Sequence, residues 1–189
     1  MIAIMSGLID ALAPYLTSEI AAPAGATLFR QDDEVRHLHV VRSGCVHLVR
    51  FTEGGSAAVM QRAEGGSVLA ESSIFATNYH CDGLVVADAS IARADMKGLR
   101  QTLRGERHLL EAVTRHLAKE VQRTRSRLEL LARKTIADRL DGWLALNGGI
   151  LPERGAWRLV AEDLGVSPEA FYRELKRRRD QSSLSRSLR

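Results

Sequence analysis

The residues best able to do metal or redox chemistry are six histidines and two cysteines, and they are unevenly placed. His37, His39, His47, His80, Cys45 and Cys81 fall within one stretch, while His108 and His116 lie outside it. In an extended strand alternate side chains share a face, so His37-Leu38-His39 and Cys45-Val46-His47 each present a pair to one side. Thiolate with imidazole suits zinc, copper or haem iron, which makes Cys45, His47, His80 and Cys81 a candidate metal set. Cys45 and Cys81 could instead form a redox pair. The same residues are also explained by solvated strand histidines and small core cysteines, and no standard metal spacing is present. An iron–sulfur cluster usually takes four cysteines, twice what the chain has. No Ser/His/Asp set, phosphate-binding loop or dinucleotide fingerprint occurs, so the chain is not read as an enzyme.

The elements that hold these residues are marked by glycine. Between about residue 23 and residue 96, Gly25, Gly44, Gly54-Gly55, Gly65-Gly66 and Gly83 separate short Val-rich runs. Many short strands at even spacing predict an antiparallel, jelly-roll-like β domain whose packed sheets enclose a small-molecule pocket. Ahead of it, MIAIMSGLIDALAP predicts a short amphipathic helix. No apolar run has the length a bilayer requires, and two cysteines make no disulfide framework, so the expected compartment is the cytoplasm.

After Asp95 the pattern changes. Leu110, Val113, Leu117, Val121, Thr124, Leu128 and Leu131 recur at spacings of 3, 4, 4, 3, 4 and 3. That is an a/d stripe, and the arginines flanking it (Arg115, Arg123, Arg125, Arg127) favour a parallel dimer seam over docking on the chain's own domain. The predicted dimer interface is Leu110, Val113, Leu117, Val121, Thr124 and Leu128. A second helix, about Lys134 to Leu146, should stop at Asn147-Gly148-Gly149.

Charge divides the chain in the same place. Residues 1–96 hold 6 Lys/Arg and 11 Asp/Glu, a net of −5; residues 97–189 hold 21 and 12, a net of +9. The natural partner of the basic half is a polyanion. Within it, WRLVAEDLGVSPEAFYRELK meets the demands of a helix-turn-helix together. Ala161 is small at the helix crossing, Gly165 suits a left-handed turn, and Leu164 and Val166 flank it as apolar plugs. Ser167 caps the second helix with Pro168 at its first position, and Ala170, Phe171 and Leu175 face the first helix. Ser167, Glu169, Tyr172, Arg173 and Lys176 are left outward, with Arg177, Arg178 and Arg179 continuing that face. Arg173 can grip a guanine edge and Glu169 a cytosine amino group, while Arg158, Ser167 and Lys176 reach phosphates.

The order of β domain, long helix and helix-turn-helix resembles the Crp/Fnr family of bacterial transcription regulators over nearly the whole chain. PAGATLFRQDDEVRHLHVVRSGCVHLVR is similar to that family's first β-roll strands, with Gly44 at the expected turn. GVSPEAFYRELKR is similar to its recognition helix, where Glu169 and Arg173 match base-reading positions and Pro168 replaces another base-reading arginine. RRRDQSSLSRSLR follows, which implies a truncated or absent wing. The resemblance implies an α+β chain: a β-roll (jelly-roll, cyclic-nucleotide-binding-like) sensor domain over 1–96, a dimerisation helix over 97–132 and a helix-turn-helix domain over 133–189. Its implied partners are a second copy, a near-palindromic double-stranded DNA operator and RNA polymerase, with no membrane.

In cyclic-nucleotide members the phosphate is held by a Gly-Glu-Leu turn and, further along, an Arg-Ser pair. Ala70-Glu71-Ser72 and Cys81-Asp82 stand at those places, so the implied effector pocket is Glu71, Ser72, His80, Cys81, Asp82 and the purine-contacting position Thr124. A phosphate there would lose its guanidinium and meet a carboxylate. The expected signal is therefore not a cyclic nucleotide but a transition metal, haem with a gas, or a redox change. One alternative is a constitutive DNA binder with a ligand-free β-roll. Another is a cupin-type metal-dependent enzyme, whose paired histidines His37-Leu38-His39 resembles; Ser43-Gly44 stands where that motif needs a glutamate.

Overall fold

The mostly buried, Val-rich runs LHVV and CVHLV build the central strand of the first of two compact units, Met1–Lys119 and Glu120–Arg189. A computed structural model describes residues 6–51, 55 and 57–187, without the side chains of residue 6 and residues 182–187. The first unit begins with the helix α1 (Ser6–Leu12), whose Leu8 and Leu12 are buried. Strands β1 (Leu16–Ala22), β2 (Thr27–Phe29), β3 (His37–Phe51), β4 (Ala57–Glu64), β5 (Val68–Leu69) and β6 (Asp82–Asp95) follow. The main path of the sheet is β1-β6-β3-β4, with β2 on β6 and β5 on β3, all antiparallel. The expected antiparallel jelly-roll is thus present, but β3 and β6 are 15 and 14 residues long, not short runs.

Gly44 explains β3. It was expected at a turn; instead it sits inside the strand at φ +83°, where the register to β6 shifts between Ser43 and Cys45. A Cβ there would collide with the Asp88 carbonyl and with Ala89. The glycine lets the strand bulge and bend without ending, so one strand pairs first with β5 and then with β4. The core it closes contains Leu38, Val40, Val46, Leu48, Ile91 and Ala94.

Two helices follow, α2 (Met96–Gly105) and α3 (Arg107–Ala132), and the boundary between units falls within α3. The expected single stripe along α3 divides in two. Leu109 and Val113 are buried in the core of the first unit and Leu117 packs against it, whereas Leu110, Thr124, Val121 and Leu128 are exposed. The periodicity is the cause: 109, 113 and 117 are successive i, i+4 positions, and 110, 121 and 128 lie on a neighbouring line. Val113 therefore belongs to the chain's own core and is removed from the predicted dimer seam.

In the second unit α3 ends and α4 (Ile136–Leu146) is capped by Thr135, whose Oγ1 accepts from the Asp138 N–H at 3.1 Å. Gly148 and Gly149, both at positive φ, stop it where expected. The helices α5 (Trp157–Asp163) and α6 (Pro168–Ser187) complete the unit around Leu140, Trp143, Val160, Ala161, Leu164 and Phe171. α6 continues as helix through the basic segment, and no strand follows it among the described residues. No helix among the described residues is long and apolar enough to cross a membrane.

Candidate functional site

The α5–α6 pair is fixed by local chemistry. Gly165 takes φ +63°, and a Cβ on it would lie 2.5 Å from Leu131 Cδ2. Ala161 and Leu164 are fully buried against Phe171. The Ser167 hydroxyl accepts the Ala170 N–H at 3.2 Å, and Pro168 opens α6. Glu169 is held below the usual carboxylate range by its own backbone N–H first, then by the Ser167 hydroxyl and the Arg173 charge. Ser167, Glu169, Tyr172, Arg173 and Lys176 are exposed, as is Arg158, which pairs with Glu162 at 3.4 Å.

The basic face is shorter than expected. Arg177 donates from Nε and Nη2 to the two oxygens of Glu174, at 2.8 and 2.7 Å, and from Nη1 to Gln181 at 3.1 Å. Arg178 turns inward to Glu174 at 2.7 Å, Asp141 at 2.6 Å and the Ala137 carbonyl at 2.8 Å. Glu174 is buried, and its carboxyl is pulled down to about 2, chiefly by the Arg177 hydrogen bonds. Two further arginines were not singled out from sequence as supports of this helix pair. Arg127 donates to the Glu162 carbonyl at 3.1 Å and Arg139 to the Leu164 carbonyl at 3.0 Å, at the end of α5 where helix carbonyls lack partners. The i, i+3 and i, i+4 spacing of Glu174 to Arg177 and Arg178 was a readable signal; Arg127 and Arg139 act across elements and carried none.

In the first unit, three of the residues expected to form an effector pocket, Glu71, His80 and Asp82, lie close to Cys81. Ala70 adopts φ +68° and leads into a 3-10 turn, Glu71–Ser73. Glu71 is buried and Ser72 exposed. His80 Nδ1 lies 3.4 Å from Ser73 Oγ, and Arg50 donates twice to the His80 carbonyl, at 3.2 and 2.8 Å. Burial pushes the Cys81 thiol up; Arg50 opposes this, and Asp82 and Glu71 add to it. Asp82 Oδ1 accepts the Gln31 N–H at 2.6 Å. Thr124 is exposed and belongs to the other unit. A cyclic phosphate does not fit the first-unit group: the Cys81 side chain is a neutral thiol, Asp82 offers a carboxylate, and the Arg50 guanidinium is engaged on a carbonyl.

The proposed metal set is corrected. Among the described residues no three His, Cys, Asp or Glu side chains are placed to hold an ion. Cys45 and His47 share β3, whereas Cys81 lies in the core and His80 beside Ser73. Both cysteines are buried, and neither is in a disulfide.

A cavity of about 360 Å³ opens elsewhere in the same unit, lined by His37 and His39 of β3, Arg93 of β6, Phe29 and Tyr79, among others. Phe29 and Tyr79 stack with centroids 4.0 Å apart, and His39 lies 5.3 Å from Phe29. The Tyr79 hydroxyl donates to the His37 carbonyl at 2.8 Å. His39 is buried, and its Nδ1 has no hydrogen-bond partner among the described residues. Burial first, then the charges of His37 and Arg93, drive its pKa down to about 3, so the ring is neutral.

Residues 19–106 match the model of the cyclic nucleotide-binding domain. FixK2 from Bradyrhizobium japonicum is similar in structure, with TM-score 0.66 and 18% identity over 87% of this chain and 85% of that one. The c-di-GMP responsive global regulator CLP of Xanthomonas campestris gives 0.62 and 18% over 94% and 93%. The catabolite activator protein of Thermus thermophilus gives 0.55 and 19% over 94% and 88%. No curated protein is detectably similar in sequence. These likenesses establish a cyclic nucleotide-binding-type fold in the first unit and a chain arranged like these proteins over most of its length.

Proposed function

We propose that the chain is a homodimeric, Crp/Fnr-type transcription regulator that binds DNA through a helix-turn-helix formed by α5 and α6. The observation that carries this reading is the exposed row Ser167, Glu169, Tyr172, Arg173 and Lys176 on a helix whose crossing is locked by Gly165, Ala161 and Phe171. Arg173 and Glu169 read base edges; Arg158, Ser167 and Lys176 hold phosphates; Arg177 supports the helix through Glu174. Two copies, joined along the exposed line Leu110, Val121, Thr124 and Leu128, present their recognition helices to grooves about 34 Å apart. The fold similarity to named regulators supports this assignment, and RNA polymerase is the further partner it brings. The signal enters through the β-roll and is not a cyclic nucleotide, because the guanidinium nearest Cys81, that of Arg50, is engaged on the His80 carbonyl and Asp82 offers a carboxylate.

The test is selection of a bound duplex from random DNA, followed by fluorescence anisotropy. Arg173→Ala should weaken the selected site by about tenfold or more while leaving random DNA nearly unchanged. An affinity for the selected site that survives Arg173→Ala, or a complex insensitive to salt, overturns the assignment.

A further inference from the structure

The cavity beside His39 lies apart from the Cys81 turn, and its lining has the makings of a ligand site. Its position follows from register. His39 on β3 faces Arg93 on β6, and Arg93 in turn faces Ser18 on β1, so the guanidinium stands in the middle of three strands. The Arg93 Nε donates to Ser18 Oγ at 3.3 Å, a long bond to a neutral hydroxyl that leaves the cation uncompensated by it. Each of the two carboxylates of the lining has a partner of its own. Asp33 accepts the Arg30 N–H at 2.8 Å, and Glu34 pairs with Arg36 at 3.0 Å. The Tyr79 hydroxyl is committed to the backbone of His37. What remains unspent is the Arg93 fork and the buried Nδ1 of His39, a residue of the same lining.

The opposite character supplies the rest of the recognition. Ile20, Leu28 and the stacked Phe29–Tyr79 pair are apolar or aromatic surfaces of one cavity whose size lies within the range of small-molecule sites. A flat apolar body fits against the aromatic pair, and an anionic head fits the guanidinium, which matches a carboxylate with two parallel hydrogen bonds. A neutral imidazole in the tautomer that carries its proton on Nδ1 would add a third donor to that head. Burial first, and Arg93 after it, lower the proton affinity of His37 and His39, so neither ring brings a second cation to the lining.

We propose that this cavity binds a small aromatic carboxylate, its carboxylate on Arg93 and His39 and its ring against Phe29 and Tyr79. The site goes beyond the regulator reading, and its test uses no DNA. Tyr79 immediately precedes the His80–Cys81 turn, and two residues after Arg93 the Asp95 side chain caps α2 by accepting the Gly98 N–H at 2.7 Å. A ligand here therefore touches two segments at once.

Isothermal titration of the full chain with benzoate, salicylate and phenylacetate, against benzamide, zinc and cyclic AMP, tests the proposal. At least one carboxylate should saturate below about 10 mM, with benzamide about tenfold weaker. Arg93→Gln should weaken the carboxylate by about tenfold or more, with the fold checked by circular dichroism. Should that variant fail to fold, Ile20→Trp, which fills the cavity from its apolar side, should abolish binding instead. No carboxylate saturating, binding unchanged in Arg93→Gln or Ile20→Trp, or equal affinity for benzamide each overturns it. So does zinc binding that His39→Phe removes while no carboxylate binds.

Discussion

Each compact unit buries a titratable side chain, and the two are treated in opposite ways. Glu174 in the second unit is gripped by Arg177 and Arg178, and its carboxyl stays ionised down to about pH 2. His39 in the first is neutral, and one of its nitrogens has no partner. Buried polar groups in folded proteins are nearly always satisfied, so an unsatisfied one calls for a reason. Glu174 has the profile of a structural tie: its cost of burial is offset on the spot by two guanidiniums. His39 borders a cavity, and what would offset its burial is a ligand. The contrast separates a polar group that holds the fold from one that serves a site.

The sharpest way to break the comparison is to remove the tie. Glu174→Ala leaves the partly buried Arg178 with Asp141 and the Ala137 carbonyl but without its buried carboxylate, and should destabilise the second unit by about 3 kcal/mol. Trp143 and Trp157, the chain's two tryptophans, both lie in that unit, so denaturant unfolding followed by tryptophan fluorescence reads it alone. A loss under about 1 kcal/mol would place Glu174 with ordinary surface ion pairs and dissolve the contrast.

Gly165→Ala probes the same unit at its turn. The φ of +63° and the 2.5 Å approach to Leu131 both oppose a Cβ, and the expected loss is about 2 kcal/mol by the same fluorescence measurement. Gly148→Ala is the control: its φ is +75° but nothing stands within 4 Å, so it should cost about 1 kcal/mol, the backbone part alone. Equal losses at the two positions would show that Leu131 moves aside freely.

The second unit was the more legible of the two in sequence, for a physical reason. Its helix boundaries are set by neighbours in the chain: Ser167, Pro168, Gly165 and Asn147-Gly148-Gly149 act within a turn of where they stand. The β domain was legible as a class, yet its central strand was misread at Gly44, because a positive φ is common to a hairpin turn and a bulge, and the choice depends on what β6 places opposite. The stripe on α3 was read as one line because spacings of 3 and 4 fit two adjacent lines of a helix equally well. Arg177 is exposed as expected although it grips Glu174, whereas Arg178 was placed outward because charge predicts exposure until a buried carboxylate is known to be within reach. The pairing of His37 with His39 on one face of β3 was visible; the cavity was not, since Phe29, Tyr79 and Arg93 reach it from distant positions.

The other half of the comparison is tested through pH. Because the folded pKa of His39 is depressed to about 3 from 6.5, the unfolded chain takes up the proton first. The stability this neutral ring contributes is therefore complete above pH 6.5 and lost as pH falls from there toward 3. The groups that set this shift, burial aside, are His37 and Arg93, and His37 is itself lowered by burial, Arg93 and Arg36 against Asp95. Going from about pH 7.5 to about pH 5.5 should cost the first unit about 1.4 kcal/mol, read by the β-sheet circular dichroism during denaturant unfolding. Glu174 has the lowered shift of a paired carboxylate, so its contribution persists over that range and is lost only below the usual 4.5, toward about 2. The tryptophan-detected transition should accordingly stay in place while the sheet transition moves. His39→Phe keeps an aromatic ring beside Phe29 and removes the proton, and should flatten the sheet's response over the same range. If the sheet transition of His39→Phe still shifts by about 1.4 kcal/mol, another group carries the pH dependence and His39 is not the buried base described here.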